Sequence, residues 1–175
     1  MGDNNTENLQ EGVYLTLEEM NTEVLECARY GEHEELRDLI VAGADVNYCD
    51  DGGSNALHKA AANNEVECMK VLKEFAIEYK ANEGGNYPTH WAAQNGQLDA
   101  MNFLIENFVE EVDMLAQNKL GKSTLTEAFN KGDESVLEVV LKHDSANEEK
   151  LLQTNTTNGA NEISEDQSEG ATVFT

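Results

Sequence analysis

Residues 54–65 read SNALHKAAANNE, and two altered copies follow, NYPTHWAAQNGQ at 86–97 and KSTLTEAFNKGD at 122–133. A truncated copy, LECARYGE, precedes them at 25–32. All four copies share a turn residue at the same place, namely Gly31, Asn64, Gly96 and Gly132. Because these turns are 33, 32 and 36 residues apart, the chain is predicted to stack helix-pair units, an architecture that works mainly by contact with partners.

After each turn the sequence predicts a second helix, because large apolar residues recur there at helical spacing. The first large apolar position of this helix is Leu36, Met69, Met101 and Leu137 in the four units. Three residues later come Leu39, Leu72, Leu104 and Val140. A single helix pair cannot bury such a stripe, so we expect each unit to bury it against its neighbour.

The chain is strongly acidic, with 35 Asp and Glu against 11 Lys and Arg in 175 residues and a formal net charge of −24. Residues 1–22 hold five acidic and no basic residues, and residues 144–175 hold seven acidic residues and one basic. No segment is basic enough to hold a phosphate backbone, so direct binding of nucleic acid is not expected. The acidity favours association with a basic partner, unless it is only a solvated surface.

Neither a membrane segment nor a secretory signal is predicted. No apolar run approaches the roughly 20 residues that span a bilayer, and the N-terminal MGDNNT lacks the charged start and apolar stretch of a signal peptide. The three cysteines, Cys27, Cys49 and Cys68, are an odd number without close pairs, which is typical of reduced thiols. We therefore expect a protein of the cytoplasm or nucleus.

Three parts are predicted along the chain. Residues 1–16 form a disordered acidic lead, and residues 144–175 form a disordered acidic tail, because both are polar and the tail carries few apolar side chains. Residues 17–143 form the repeat domain, with units of about 17–49, 50–81, 82–117 and 118–143. Either Thr16 or Asn21 is expected to cap the first helix.

The repeated phrase resembles the ankyrin repeat, whose signature is Gly-x-Thr-Pro-Leu-His-x-Ala-Ala followed by a helix and Gly-Ala-Asp-Val-Asn. The matching positions are Gly53, Leu57, His58, Ala60 and Ala61 in the second unit and Gly85, Pro88, His90, Ala92, Ala93 and Gly96 in the third. Residues 43–47 read GADVN without a change. The resemblance covers roughly residues 22–143 and implies an all-α ankyrin solenoid of about four helix-turn-helix units with projecting turns.

The chain differs from the ankyrin pattern at three places, and each difference predicts a local change in structure. The first unit lacks the Thr-Pro-Leu-His entry and the fourth has Thr126 in place of its histidine, which is typical of capping units with a polar outer face. Tyr87 replaces the threonine of the third unit, which puts the usual side-chain cap there in question. Three extra residues between the third and fourth units are expected to distort the turn between residues 108 and 121.

No residue pattern indicates catalysis, a cofactor or a metal site. The cysteines lack zinc-ligand spacing, no glycine-rich phosphate loop is present, and neighbouring acid pairs do not face each other on a helix. His58 and His90 occupy equivalent positions, and the resemblance implies that they bind backbone in the adjoining turn. Trp91 is expected to pack between units, with an interface anchor as the alternative. Asn47 resembles the ankyrin asparagine that is hydroxylated, or it stabilises its turn.

The resemblance also implies a concave groove, lined by the projecting turns and the first helices. Its variable positions correspond to Cys49, Asp51, Ser54, Asn63, Glu83, Asn86, Gln94, Asn95, Lys119, Lys122, Asn130 and Lys131. The second and third units offer acidic and polar groups there, whereas the fourth offers lysines. We therefore predict that a basic segment of a protein partner contacts the end near Asp51 and Glu83.

Three functions are compatible with this sequence. The first is non-enzymatic binding of a protein partner by a monomer, as an adaptor or inhibitor. The second is escort of a basic nucleic-acid-binding protein, because HWA at 90–92, NKLG at 118–121 and the acidic tail resemble small acidic ankyrin proteins that escort a basic ribosomal protein. The third is the regulatory segment of a longer enzyme, since ankyrin units also precede enzyme domains.

Overall fold

The computed structural model describes residues 15–146, and within this range the chain forms eight α-helices and one short 3-10 helix. The helices are α1 (Leu17–Tyr30), α2 (His33–Val41), α3 (Ala56–Asn63), α4 (Val66–Glu74), α5 (Pro88–Asn95), α6 (Leu98–Asn107), α7 (Thr124–Lys131) and α8 (Glu134–Lys142). They form four helix-turn-helix pairs, which confirms the predicted all-α repeat fold. None of these helices is long and apolar enough to cross a membrane.

A left-handed residue separates the two helices of every pair. Gly31, Gly96 and Gly132 have φ angles of 82°, 73° and 73°, and Asn64 has a φ of 64°. Glycine adopts this region freely, and asparagine adopts it more readily than most residues. The N–H of Gly31 donates to the carbonyl of Cys27, so the turn also satisfies the end of α1.

The starts of the first helices follow the expected capping chemistry. Thr16, not Asn21, caps α1, because its Oγ1 accepts a hydrogen bond from the N–H of Glu19 at 3.2 Å. Tyr87 forms no side-chain cap on α5, and its own N–H donates to Nδ1 of His90 at 3.2 Å. His90 thus satisfies the N–H of the residue before the helix, as His58 does for Asn55 in the second unit.

The first helices of the pairs form one row and the second helices form another. α1, α3, α5 and α7 pack in succession, as do α2, α4, α6 and α8. Ala28, Ala61 and Ala93 lie three residues before the turn in their units and have no exposed surface. Alanine at this position lets the first helix of the next unit approach closely.

The apolar stripe of the second helices is buried in the first three units, as predicted. Leu36, Met69 and Met101 have no exposed surface. The fourth unit departs from the prediction, since Val136 is fully buried there and Leu137 is only half-buried. In the described range no further unit comes after α8 to cover Leu137, whereas Val136 faces back into the stack.

The two ends of the stack differ, and the fourth unit is not the polar cap that was predicted. The residue that faces the preceding unit is buried in α4, α6 and α8, as Cys68, Ala100 and Val136. In α2, which has no preceding unit in this range, the same position is the exposed Glu35. The fourth unit instead exposes Phe129, whose side chain is 73% accessible. At these positions the first unit therefore presents a carboxylate and the fourth unit presents an aromatic ring.

The fourth unit extends beyond its predicted boundary at residue 143. A 3-10 turn, Asp144–Ala146, follows α8, and its last two residues are buried. The N–H of Met114 donates to Oγ of Ser145 at 2.8 Å, which ties this turn to the loop that enters the unit. The longer linker forms an added turn, in which the N–H of Val112 donates to the carbonyl of Phe108. Residues 1–14 of the predicted lead and 147–175 of the predicted tail lie outside the described residues.

Candidate partner-binding groove

The loops that project between units are joined edge to edge by backbone hydrogen bonds. The N–H of Glu83 donates to the carbonyl of Gly52, and the N–H of Lys119 donates to the carbonyl of Gly84, both at 2.9 Å. Gly85 has a φ of 77°, and a Cβ added there would lie 3.0 Å from the backbone nitrogen of Lys119. Only glycine permits this approach, so the loops form a continuous rim along the groove.

Polar side chains reinforce the same rim. Nδ2 of Asn82 donates to Oγ of Ser54 at 3.0 Å, and Nδ2 of Asn118 donates to Oδ1 of Asn86 at 2.7 Å. Ser54 is only 3% exposed, so its prediction as a partner-binding residue is corrected. Its hydroxyl holds two loops together and is not accessible to a partner.

Two buried histidines tie the first helices to the loop of the next unit. Nε2 of His58 donates to the carbonyl of Asn86 at 2.9 Å, and Nε2 of His90 donates to the carbonyl of Lys122 at 3.1 Å. Nδ1 of His58 accepts from the N–H of Asn55 at 3.3 Å, so the ring uses both nitrogens. Burial lowers the pKa of His58 to about 4 and also lowers the pKa of His90. Both neutral rings therefore hold adjacent units together through these hydrogen bonds.

One side chain from each first helix lies in a row along the groove, five residues before the turn. These residues are Glu26, Lys59, Trp91 and Glu127. Nζ of Lys59 lies 5.4 Å from the centre of the Trp91 ring and 2.5 Å from Oδ2 of Asp50. Burial alone would raise the pKa of Asp50, but hydrogen bonds from Lys59 and from the backbone of Ser54 hold it below its usual value. The amino group of Lys59 thus lies between a carboxylate and an aromatic face.

Trp91 combines packing with partial accessibility. Its ring centre lies 5.4 Å from that of His58, with the planes at 72°, which is an edge-to-face contact between the second and third units. The side chain is half-buried, so one part of the indole remains open to the groove. The structure therefore confirms that Trp91 packs between units, and its role as an interface anchor stays a prediction.

Glu127 ends the row with a buried carboxylate. The residue is 4% exposed, and Nζ of Lys122 lies 3.6 Å from its Oε1. Among residues 15–146, Oε1 of Glu127 accepts no hydrogen bond. Burial of a carboxylate without a hydrogen bond is costly, and the ion pair with Lys122 offsets part of this cost.

Most of the predicted partner-binding residues are accessible. The exposed ones are Asp51, Asn63, Glu83, Gln94, Asn95, Lys119, Asn130 and Lys131. The half-buried ones are Cys49, Asn86 and Lys122. Asn47 is also half-buried, and its Oδ1 accepts from the N–H of Glu78 in the next unit at 2.9 Å. This contact supports the turn, and hydroxylation of Asn47 stays a prediction.

Sequence reasoning missed three residues of the groove, namely Asp50, Lys59 and Glu127. The repeat register could have indicated two of them, because Lys59 and Glu127 occupy the position of Trp91 in their own units. Asp50 gave no such signal. Its pairing with Lys59, nine residues away, depends on how the loop folds back over α3.

A separate group of possible metal ligands lies in the first unit. The thiol of Cys27 and the carboxylates of Glu23 and Glu35 each place one atom within 4.8 Å of the others. Burial, aided by the charges of Glu35 and Glu23, raises the pKa of Cys27 to about 12. The thiol is therefore protonated at neutral pH and a weak ligand, and we assign no metal to this group.

Known proteins share this repeat architecture. A family profile described as Ankyrin repeats (3 copies) matches residues 24–118, which is more than half of the chain. A curated relative from Arabidopsis thaliana, the E3 ubiquitin-protein ligase KEG, is 42% identical over 48 residues, or 27% of this chain. The matched residues make up 3% of that ligase, so the chain spans only a small part of its length.

Proposed function

The chain belongs to the ankyrin-repeat family, and we propose that it binds a protein partner whose basic segment lies in the groove beside Asp51 and Glu83. Ankyrin repeats are a non-catalytic interaction fold, so binding is the function that the architecture supports. The observation that carries the finer proposal is the position of these two carboxylates. The hydrogen bond from Glu83 to Gly52 places their loops side by side, and both side chains are exposed.

The charge along the rim supports one orientation of the partner. Among residues 15–146, Asp51 and Glu83 form no ion pair with another side chain, so their charge is available to a partner. The fourth unit presents Lys119 and Lys131 as exposed cations at the other end. A segment that is basic at one end and acidic or polar at the other complements this gradient.

Reversal of both carboxylates, Asp51→Lys with Glu83→Lys, is expected to weaken binding of the partner roughly tenfold or more. Each reversal replaces an attraction worth up to about 1 kcal/mol by a repulsion of similar size. The dependence of affinity on salt should become shallower, because fewer charge contacts are screened. Partners would be isolated by affinity capture, and the purified partner would then be titrated by calorimetry at several salt concentrations.

The matched control is Glu106→Lys with Glu134→Lys, which changes the net charge by the same amount. Both positions are exposed and lie in the row of second helices, in α6 and α8. It should leave the affinity within about twofold if local charge, and not net charge, decides binding. If the groove variant keeps both its affinity and its salt dependence, the basic segment does not lie beside Asp51 and Glu83.

Escort of a basic protein is the second candidate function. The acidic composition of the chain, with 35 acidic and 11 basic residues, favours it. In this case the chain should keep a purified basic client, such as a ribosomal protein, soluble at concentrations where the client alone precipitates. Light scattering of equimolar mixtures measures this effect. Removal of residues 147–175 should reduce the protection. A simple adaptor would bind its partner without changing the partner's solubility.

A further inference from the structure

The last unit leaves an apolar surface at the end of the stack. Leu125 and Phe129 of α7 and Leu137 and Leu141 of α8 line an open cavity of about 430 Å³. The two residues of each helix are four positions apart, so they share one face. We call this surface, formed by residues 125, 129, 137 and 141, the apolar end.

The part of this surface formed by Phe129 and Leu137 is covered in every earlier unit. The position of Phe129 corresponds to Ala28, Ala61 and Ala93, and that of Leu137 to Leu36, Met69 and Met101, and all six residues are fully buried. In those units the next pair of helices covers the face. The apolar end is therefore the one such face that nothing covers within residues 15–146.

A fifth regular unit would not fit this surface. Each earlier unit has alanine where the next first helix makes its close approach. Phe129 fills that space with a ring that is 73% exposed, and it would hold another first helix away from α7. A short segment that packs around the ring is a better match than a repeat.

Two candidates for covering the apolar end remain, a second copy of the chain and the chain's own C-terminal segment, and their charges distinguish them. A second copy would bring another net charge of −24, and copies of this chain repel each other. The fourth unit is itself neutral, with four acidic and four basic residues between 118 and 143. It therefore does not repel the segment 147–175, which carries six acidic residues and one basic.

We propose that Leu151 and Leu152, in the chain's own C-terminal segment, cover the apolar end. They are the first large apolar residues after Ala146. Burial of two leucine side chains against this surface removes apolar area from water on both sides of the contact. The proposal is independent of the groove and of its partner.

The reach of the chain permits this contact. The segment starts from a fixed point, because Ser145 is held by the N–H of Met114. Leu151 is five positions beyond Ala146, a stretch that spans at most about 17 Å. Leu137 and Leu141 lie only about 6 Å apart along α8, so the two leucines can reach along the helix from its C-terminal end.

Leu151→Glu with Leu152→Glu in the full-length chain tests the contact. The methyl resonances of Leu137 and Leu141 should shift, and the fluorescence of a hydrophobic dye should rise several-fold as the apolar end is uncovered. The control Thr156→Glu with Thr157→Glu adds the same charge to the same segment and should change neither signal. Phe129→Glu tests the other side of the contact, and it should shift the methyl resonances of Leu151 and Leu152.

Two results would overturn the proposal. In the first, the Leu137 and Leu141 resonances are the same in the leucine variant as in the unchanged protein. In the second, sedimentation shows that the unchanged protein self-associates with rising concentration and that Phe129→Glu abolishes this, which would make a second copy the occupant.

Discussion

Replacement of His58 by alanine lowers the free energy of unfolding by about 3–4 kcal/mol at pH 7, because its removal opens a cavity between the second and third units and leaves a carbonyl without its donor. The ring has no exposed surface and donates to the carbonyl of Asn86 in the next unit. Urea-induced unfolding followed by circular dichroism measures the loss.

The control for this change is His33→Ala at the exposed start of α2. It removes the same ring from a position that holds no units together, and the stability should change by at most about 0.5 kcal/mol. Similar losses of unfolding free energy in both variants would show that His58 does not hold adjacent units together.

The difference between the unchanged protein and His58→Ala should shrink as the pH falls from 6.5 to 4. The pKa of His58 is lowered by burial to about 4, against 6.5 for the exposed group, so the unfolded chain binds the proton more readily. The contribution of the neutral ring to the free energy of unfolding is complete above pH 6.5. About 3 kcal/mol of this contribution is lost as the pH falls from 6.5 to 4. Both proteins contain the same carboxylates, so the effect of the carboxylates on stability cancels when the two proteins are compared at each pH. A difference that stays constant with pH would contradict the neutral assignment.

The sequence predicted the repeat because its signals are local. A residue that tolerates the left-handed region, such as Gly96 or Asn64, separates the helices of each pair, and apolar residues recur at fixed distances from it. Such features depend only on nearby positions, and the structure confirms them. The helices α5 and α7 end directly before their turn residues, Gly96 and Gly132, for the same reason.

The parts that sequence reasoning missed depend on neighbours in space. Leu137 is buried only if another element packs beyond α8, and the repeat register alone could not decide this. Phe129 in the alanine position was a visible departure, but the substitution at Thr126 suggested a polar end instead. Ser54 was predicted to bind a partner because of its position, yet the neighbouring loop covers its hydroxyl.

Leu104→Ala should destabilise the stack by about 2–5 kcal/mol, which is the other large effect that we expect, because removal of its side chain leaves a cavity that the packed helices cannot fill. Leu104 lies in α6 without exposed surface, and the third unit has neighbours on both sides. Because the units are stabilised by their interfaces, the loss should extend to the adjoining units.

Leu120→Ala is the matched control for Leu104, since it makes the same chemical change at a loop position that is 79% exposed. Its effect should remain within about 0.5 kcal/mol. Hydrogen exchange distinguishes a local from a shared effect. In Leu104→Ala the amides of α4 and α8 should exchange faster together with those of α6, because each packs against α6. Faster exchange confined to α6 would mean that the third unit unfolds without weakening its neighbours, contrary to a stack held together by its interfaces.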